Sequence, residues 1–126
     1  MLNIFAIFIG GGIGAILRYW TTILAQKIWN TSILGTFCVN ILGCFLIGFV
    51  LGLTIQKPSL IPPQVKLFIT VGLLGGLTTF SSFSFEAFNL LKDGKTFYSF
   101  LYIAISVIVG LCATFIGYLI SKQIKL

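Results

Sequence analysis

Four stretches of the chain, residues 4–25, 33–55, 65–91 and 97–120, are largely apolar, and short polar segments separate them. Crossing a hydrocarbon core about 30 Å thick takes roughly 20 apolar residues at ~1.5 Å of helical rise each, so every stretch predicts one transmembrane helix. The separators carry loop chemistry: Gln26-Lys27-Ile28-Trp29-Asn30, then Gln56-Lys57-Pro58 through Pro62-Pro63, then Lys92-Asp93-Gly94-Lys95. Connections this short predict a single domain over residues 1–126, an all-α membrane protein of four spans. Trp20, Trp29 and Tyr98 fall near span ends, where amphipathic rings favour the boundary between lipid and water.

The third stretch differs from the others. Gly75-Gly76-Leu77-Thr78-Thr79-Phe80-Ser81-Ser82-Phe83-Ser84 interrupts it, and Thr79 lies almost halfway along. Glycine weakens a helix, and Ser and Thr offer its backbone alternative hydrogen bonds, so the stretch is expected to divide into two half-helices near the bilayer centre. Open backbone at that depth survives only inside protein or beside a cavity, which makes the break a candidate functional site.

Composition agrees with a lipid solvent: 58% of residues are hydrophobic and 8% charged, against about 25% charged in an average soluble domain. The N-terminus lacks a charged leader and a small-residue cleavage site, so the first stretch reads as a retained helix. The expected location is the cell (inner) membrane, crossed several times. A net charge of +6 raises the question of nucleic acid, but the basic residues are scattered singly at the ends of apolar runs, where they anchor helices at headgroups. Cys38, Cys44 and Cys112 lie within apolar stretches without disulfide or zinc spacing and read as packing residues. Histidine is absent, which excludes a His-based relay or metal centre.

Orientation normally follows the bias of Lys and Arg between the two sides. Here Lys57, Lys66, Lys122 and Lys125 fall on one side and Arg18, Lys27, Lys92 and Lys95 on the other, a tie. One expectation that follows is insertion in both orientations and pairing as an antiparallel dimer; the alternative is one orientation set by hydrophobicity or loop length.

Small and polar residues recur at helical spacing: Gly10, Gly14 and Arg18; then Thr36, Asn40, Gly43 and Gly48; then Ser99, Tyr102, Ser106, Gly110 and Thr114. In lipid such stripes mark helix contacts, and packing accounts for the glycines. Packing accounts less well for Asn40, Ser106 and Thr114, whose polar groups are costly to bury unpaired. These read as pore-lining positions together with Thr79, Ser81 and Ser82. Phe80 and Phe83 flank the serine pair, and the electropositive edge of an aromatic ring suits an anion beside hydroxyl donors. Arg18 can snorkel to the headgroups and, compatibly with that, line an aqueous vestibule that concentrates anions. Glu86, the sole carboxylate in a predicted span, belongs in a water-filled mouth or at the start of the second half-helix, where negative charge is favoured.

Three motifs, Gly14-Ala15-Ile16-Leu17-Arg18-Tyr19, Gly35-Thr36-Phe37-Cys38-Val39-Asn40-Ile41-Leu42-Gly43 and Gly75-Gly76-Leu77-Thr78-Thr79-Phe80-Ser81-Ser82-Phe83, stand in order on successive helices. Together they resemble the Fluc (CrcB-type) family of microbial fluoride channels along the whole chain. The resemblance implies an antiparallel, dual-topology homodimer with two fluoride pores, passive fluoride export and a central structural sodium ion. It makes Asn40 a pore donor, Phe80 and Phe83 the rings that contact fluoride, and Ser81 and Thr114 members of a polar track. It puts Arg18 in the vestibule and the backbone carbonyls of Gly75 and Thr78 on sodium. Ser82 departs from the threonine expected there but keeps the hydroxyl.

A small four-helix multidrug-type exporter is the main rival, but it needs a carboxylate in the first helix, which holds Arg18 instead. A scaffold subunit would explain the packing stripes and not the broken third helix. An intramembrane enzyme lacks a paired acid and base.

Overall fold

The computed structural model describes residues 1–124; Lys125, one of the basic residues counted above, lies outside the described residues. Four long apolar segments cross the molecule: α1 (Leu2–Trp29), α2 (Ile33–Gln56), the third span Pro63–Lys92 and, last in the chain, Thr96–Gln123. Each is long and apolar enough to cross a membrane, as the pattern of hydrophobic residues requires. The ends follow local chemistry. Asn30 adopts the left-handed conformation, φ 57°, and its N–H closes α1 onto the Gln26 carbonyl. Pro62 and Pro63 open the third span, where the absent N–H of a proline costs nothing.

The third span is discontinuous. It comprises α3 (Pro63–Leu67), a π-helical turn over Phe68–Leu73, a short α4 (Leu74–Leu77), an extended link at Thr78 and Thr79, and α5 (Phe80–Lys92). The division at Thr79 matches the sequence expectation. The π turn was not foreseen: it widens one turn, with Leu74 N–H bonding Ile69 rather than the next carbonyl on, and no hydrophobic periodicity announces it. At the far end of α5, Gly94 (φ 73°) and Lys95 turn back on Leu91 and Leu90 at 3.0 and 2.8 Å, a Schellman closure that leads into α6 (Thr96–Gln123).

Two glycine seams hold the spans together. On the first, α1 lies against the leading half of the third span: a Cβ on Gly10 would come within 2.5 Å of the Phe68 carbonyl oxygen, and one on Gly76 would collide with the Gly11 carbonyl. On the second, α2 lies along α6, with Gly48 against the Thr114 backbone and Gly117 against Phe45. Lipid supplies no hydrophobic drive between helices, so close backbone approach through small residues is what associates them. The packing reading of these glycines therefore holds. Between the seams Val39, Leu74 and Leu77 form the buried core, with Leu46, Ile47 and Ile69 against them.

Candidate functional site

Thr78 and Thr79 make the break. Both are extended, at φ −81°, ψ 153° and φ −149°, ψ 117°, conformations in which a β-branched side chain is unhindered. Thr78 ends the first half: its N–H and its hydroxyl both donate to the Leu74 carbonyl at 2.9 Å. Thr79 begins the second half as the N-cap of α5, its hydroxyl oxygen accepting the Ser82 N–H at 3.2 Å. The same hydroxyl donates to Ser82 Oγ at 3.1 Å and lies 3.2 Å from Ser81 Oγ. The three hydroxyls expected near the break are therefore one cluster at the positive end of α5.

Side chains from the neighbouring spans hold the open backbone. The Asn40 carboxamide accepts the Thr79 N–H at 2.8 Å and donates to the Thr79 carbonyl at 3.1 Å, as a paired strand would. One amide hydrogen of Asn40 remains beyond that exchange. On the other lip, Arg18 Nε donates to the Gly76 carbonyl at 3.1 Å. Arg18 is thus tied to the break from α1 at Gly76, which lies between Gly75 and Thr78 in the chain.

A groove of about 380 Å³ opens at the break between α2, the third span and α6. Asn40, Thr79, Phe80, Phe83 and Ser106 line it, and so do Gly75 and Thr78. Ser106 stands apart chemically: its Oγ is buried and has no hydrogen-bond partner among the described residues. Thr114, on the same helix, back-bonds to the Gly110 carbonyl at 3.1 Å, which shows that an α6 hydroxyl has that option; Ser106 does not use it. Phe80 is 80% exposed in the single chain. Its ring centroid lies 5.8 Å from that of Phe83, which lies 5.1 Å from that of Tyr102.

Tyr102 leads to the carboxylate. Its hydroxyl donates to Glu86 Oε2 at 2.9 Å, while Ser32 and Thr36 donate to Oε1 at 2.7 and 2.9 Å. Glu86 is the seventh residue of α5, so it does not sit at the start of the second half-helix. A wider depression of about 600 Å³ shares Tyr102 and has Ile33, Phe37, Tyr98 and Lys95 in its wall.

The structure therefore gathers Asn40, Thr79, Phe80, Phe83 and Ser106 around one groove, with Ser81 and Ser82 bonded to its edge. Thr114 is not among them: it follows Ser106 by two helical turns, roughly 12 Å along α6, and packs by Gly48. Sequence reasoning did not assign roles to Ser32, Thr36 and Tyr102 at the carboxylate. A lone intramembrane carboxylate demands hydrogen-bond partners, and that demand was the available signal, but nothing local says which helix supplies them.

Chemically, no charged side chain among the described residues lines the groove, which offers neutral donors and ring edges. Among the described residues no group of His, Cys, Asp and Glu is arranged to hold a metal ion.

A family model described as "CrcB-like protein, Camphor Resistance (CrcB)" matches residues 5–118. The chain is 44% identical over 125 residues to the fluoride-specific ion channel FluC of Flavobacterium psychrophilum, covering 98% of this chain and 100% of that one. It is 41% identical over 115 residues to the protein of the same name from Geobacter sp. strain M21, at 90% and 92% coverage. With that of Aquifex aeolicus it shares 38% over 122 residues, at 96% and 98%.

Proposed function

The chain belongs to the CrcB-like family, and on that premise we propose that it is a fluoride-selective channel that lets the ion leave passively across the cell membrane. It is a multi-pass membrane protein and not an enzyme. The observation that carries the reading is the groove at the broken third span, where Ser106 keeps a buried hydroxyl without a partner among the described residues, beside the Asn40 amide and the Phe80 and Phe83 rings.

Fluoride is small and holds its water tightly, so a pore must offer replacement donors in sequence, each weak enough to release the ion. The Ser106 hydroxyl, the second amide hydrogen of Asn40 and the ring edges are such donors, and all are neutral. A hydrogen bond to a charged group contributes roughly 1.5–3 kcal/mol net, so a few of them hold the ion without trapping it. The Thr79, Ser81 and Ser82 hydroxyls and the N-terminus of α5 add positive potential at the same place. Thr114 would extend the track along α6. Arg18 reaches the break from α1 through its bond to the Gly76 carbonyl. Glu86 serves the mouth, its charge offset by the three hydroxyls that donate to it.

The working unit in this reading is an antiparallel homodimer with two pores. Support comes from the tie in Lys and Arg between the two sides and from Gly75 and Phe80, which are exposed in the single chain at the depth of the break. Hydrocarbon cannot satisfy open backbone there, whereas a second copy can cover it. A structural sodium ion fits the same place. Sodium is a hard cation that prefers oxygen, and the end of α4 interrupts the helical ladder at Gly75 and Thr78. One chain offers two such carbonyls, and a two-fold partner would double the set.

The test is fluoride efflux from proteoliposomes with chloride as control. Fluoride-selective flux is expected; absent fluoride flux, or equal chloride flux, would remove the proposal. Reporter tags at the C-terminus should appear on both membrane faces, and labelling on one face alone would exclude dual topology.

A further inference from the structure

Gly76 lies in the last turn before the break, where a carbonyl loses its helical donor because the chain beyond it is extended. At this depth such a carbonyl requires a donor from protein. Arg18 supplies it through Nε at 3.1 Å, its single side-chain hydrogen bond among the described residues. The approach is built into α1. Gly10, Gly14 and Arg18 are spaced four apart on one face, and the two glycines let the α1 backbone touch the Phe68 and Leu73 backbone, which brings the next turn onto Gly76. On the far lip, Asn40 holds both backbone polar groups of Thr79. Each lip of the break is thus held by one side chain from a different helix.

We infer that Arg18 is a positioning residue for the break and that it acts through its Nε–H rather than through its charge. The flux part of this inference rests on the channel reading above; the structural part does not.

Two substitutions separate the bond from the charge. In Arg18→Gln the amide nitrogen stands the same number of bonds from the backbone as Nε, so the donor is kept and the charge lost. In Arg18→Lys the charge is kept, but a methylene replaces Nε. Arg18→Leu removes both. The measurements, on each protein in liposomes, are hydrogen exchange of the peptide covering residues 74–82, with residues 104–112 of α6 as internal control, and fluoride efflux.

With Gln, exchange and efflux should stay within about threefold of the unsubstituted protein, while Lys and Leu should speed exchange at 74–82 about tenfold, as loss of one buried bond implies, and cut efflux by a similar factor. Slow exchange in Lys, or exchange in Gln as fast as in Leu, would overturn the inference. If a variant also exchanges fast in α6, the same comparison is made on thermal stability in detergent, where Gln must exceed Lys. An unsubstituted protein that conducts no fluoride would refute the channel reading and leave the exchange data to decide this one.

Discussion

The carboxamide of Asn40 and the backbone of Thr79 exchange two hydrogen bonds, 2.8 Å from the Thr79 N–H to Oδ1 and 3.1 Å from Nδ2 to the Thr79 carbonyl. A side chain of α2 thereby replaces the helical partners that the third span gives up at its break. Asn40→Asp preserves shape and the first bond but removes the donor, leaving the Thr79 carbonyl facing a carboxylate. It should lower stability by about 1–3 kcal/mol. Thermal unfolding in detergent checks this, and an unchanged midpoint would show that the exchange contributes little.

Ser106 should behave in the opposite way. Its hydroxyl is buried without a partner among the described residues, so it costs stability, and in the proposed mechanism it donates to fluoride. Ser106→Ala should leave the thermal midpoint unchanged or raise it, and it should slow fluoride efflux. A variant that is destabilised with normal efflux would mean that the hydroxyl serves packing alone.

The ring edges of Phe80 and Phe83 face fluoride in the proposed mechanism. Phe80→Ile and Phe83→Ile should each cut fluoride efflux while size-exclusion chromatography still shows the assembled protein. Native-like efflux from both would eliminate the rings from the pathway.

The glycine seams predict a contrast within one residue type. A Cβ on Gly48 would collide with the Thr114 backbone, whereas one on Gly12 meets nothing within 4 Å. Gly48→Ala should therefore cost about 1–3 kcal/mol, the usual penalty of overpacking, and Gly12→Ala should be tolerated. Thermal denaturation of the two variants side by side measures the difference; equal effects would contradict the seam.

The four spans and the division of the third at Thr79 were legible in the residues themselves, because span length, hydropathy and the dislike of Gly, Ser and Thr for a helix interior are local properties. Asn40 and Ser106 stood out as polar groups costly to bury in lipid, and Phe80 and Phe83 by flanking the serine pair at the break; in the structure all four line one groove. The π turn over Phe68–Leu73 was not legible, because no periodicity of its own side chains marks it; it lies where the α1 backbone comes against Phe68 and Leu73. The three hydroxyls on Glu86 were equally hidden, since Ser32 lies 54 residues away and Tyr102 on another helix.

Sequence alone determined which segments enter the membrane and where one of them must open, since both follow from free energies that each residue carries wherever it sits. Only the tertiary structure decided that Asn40 and Arg18 close the two lips of that opening and that Ser106 is left without a partner among the described residues. Those outcomes depend on how the helices are rotated against one another, and the glycine seams that set the rotation join residues far apart in the chain.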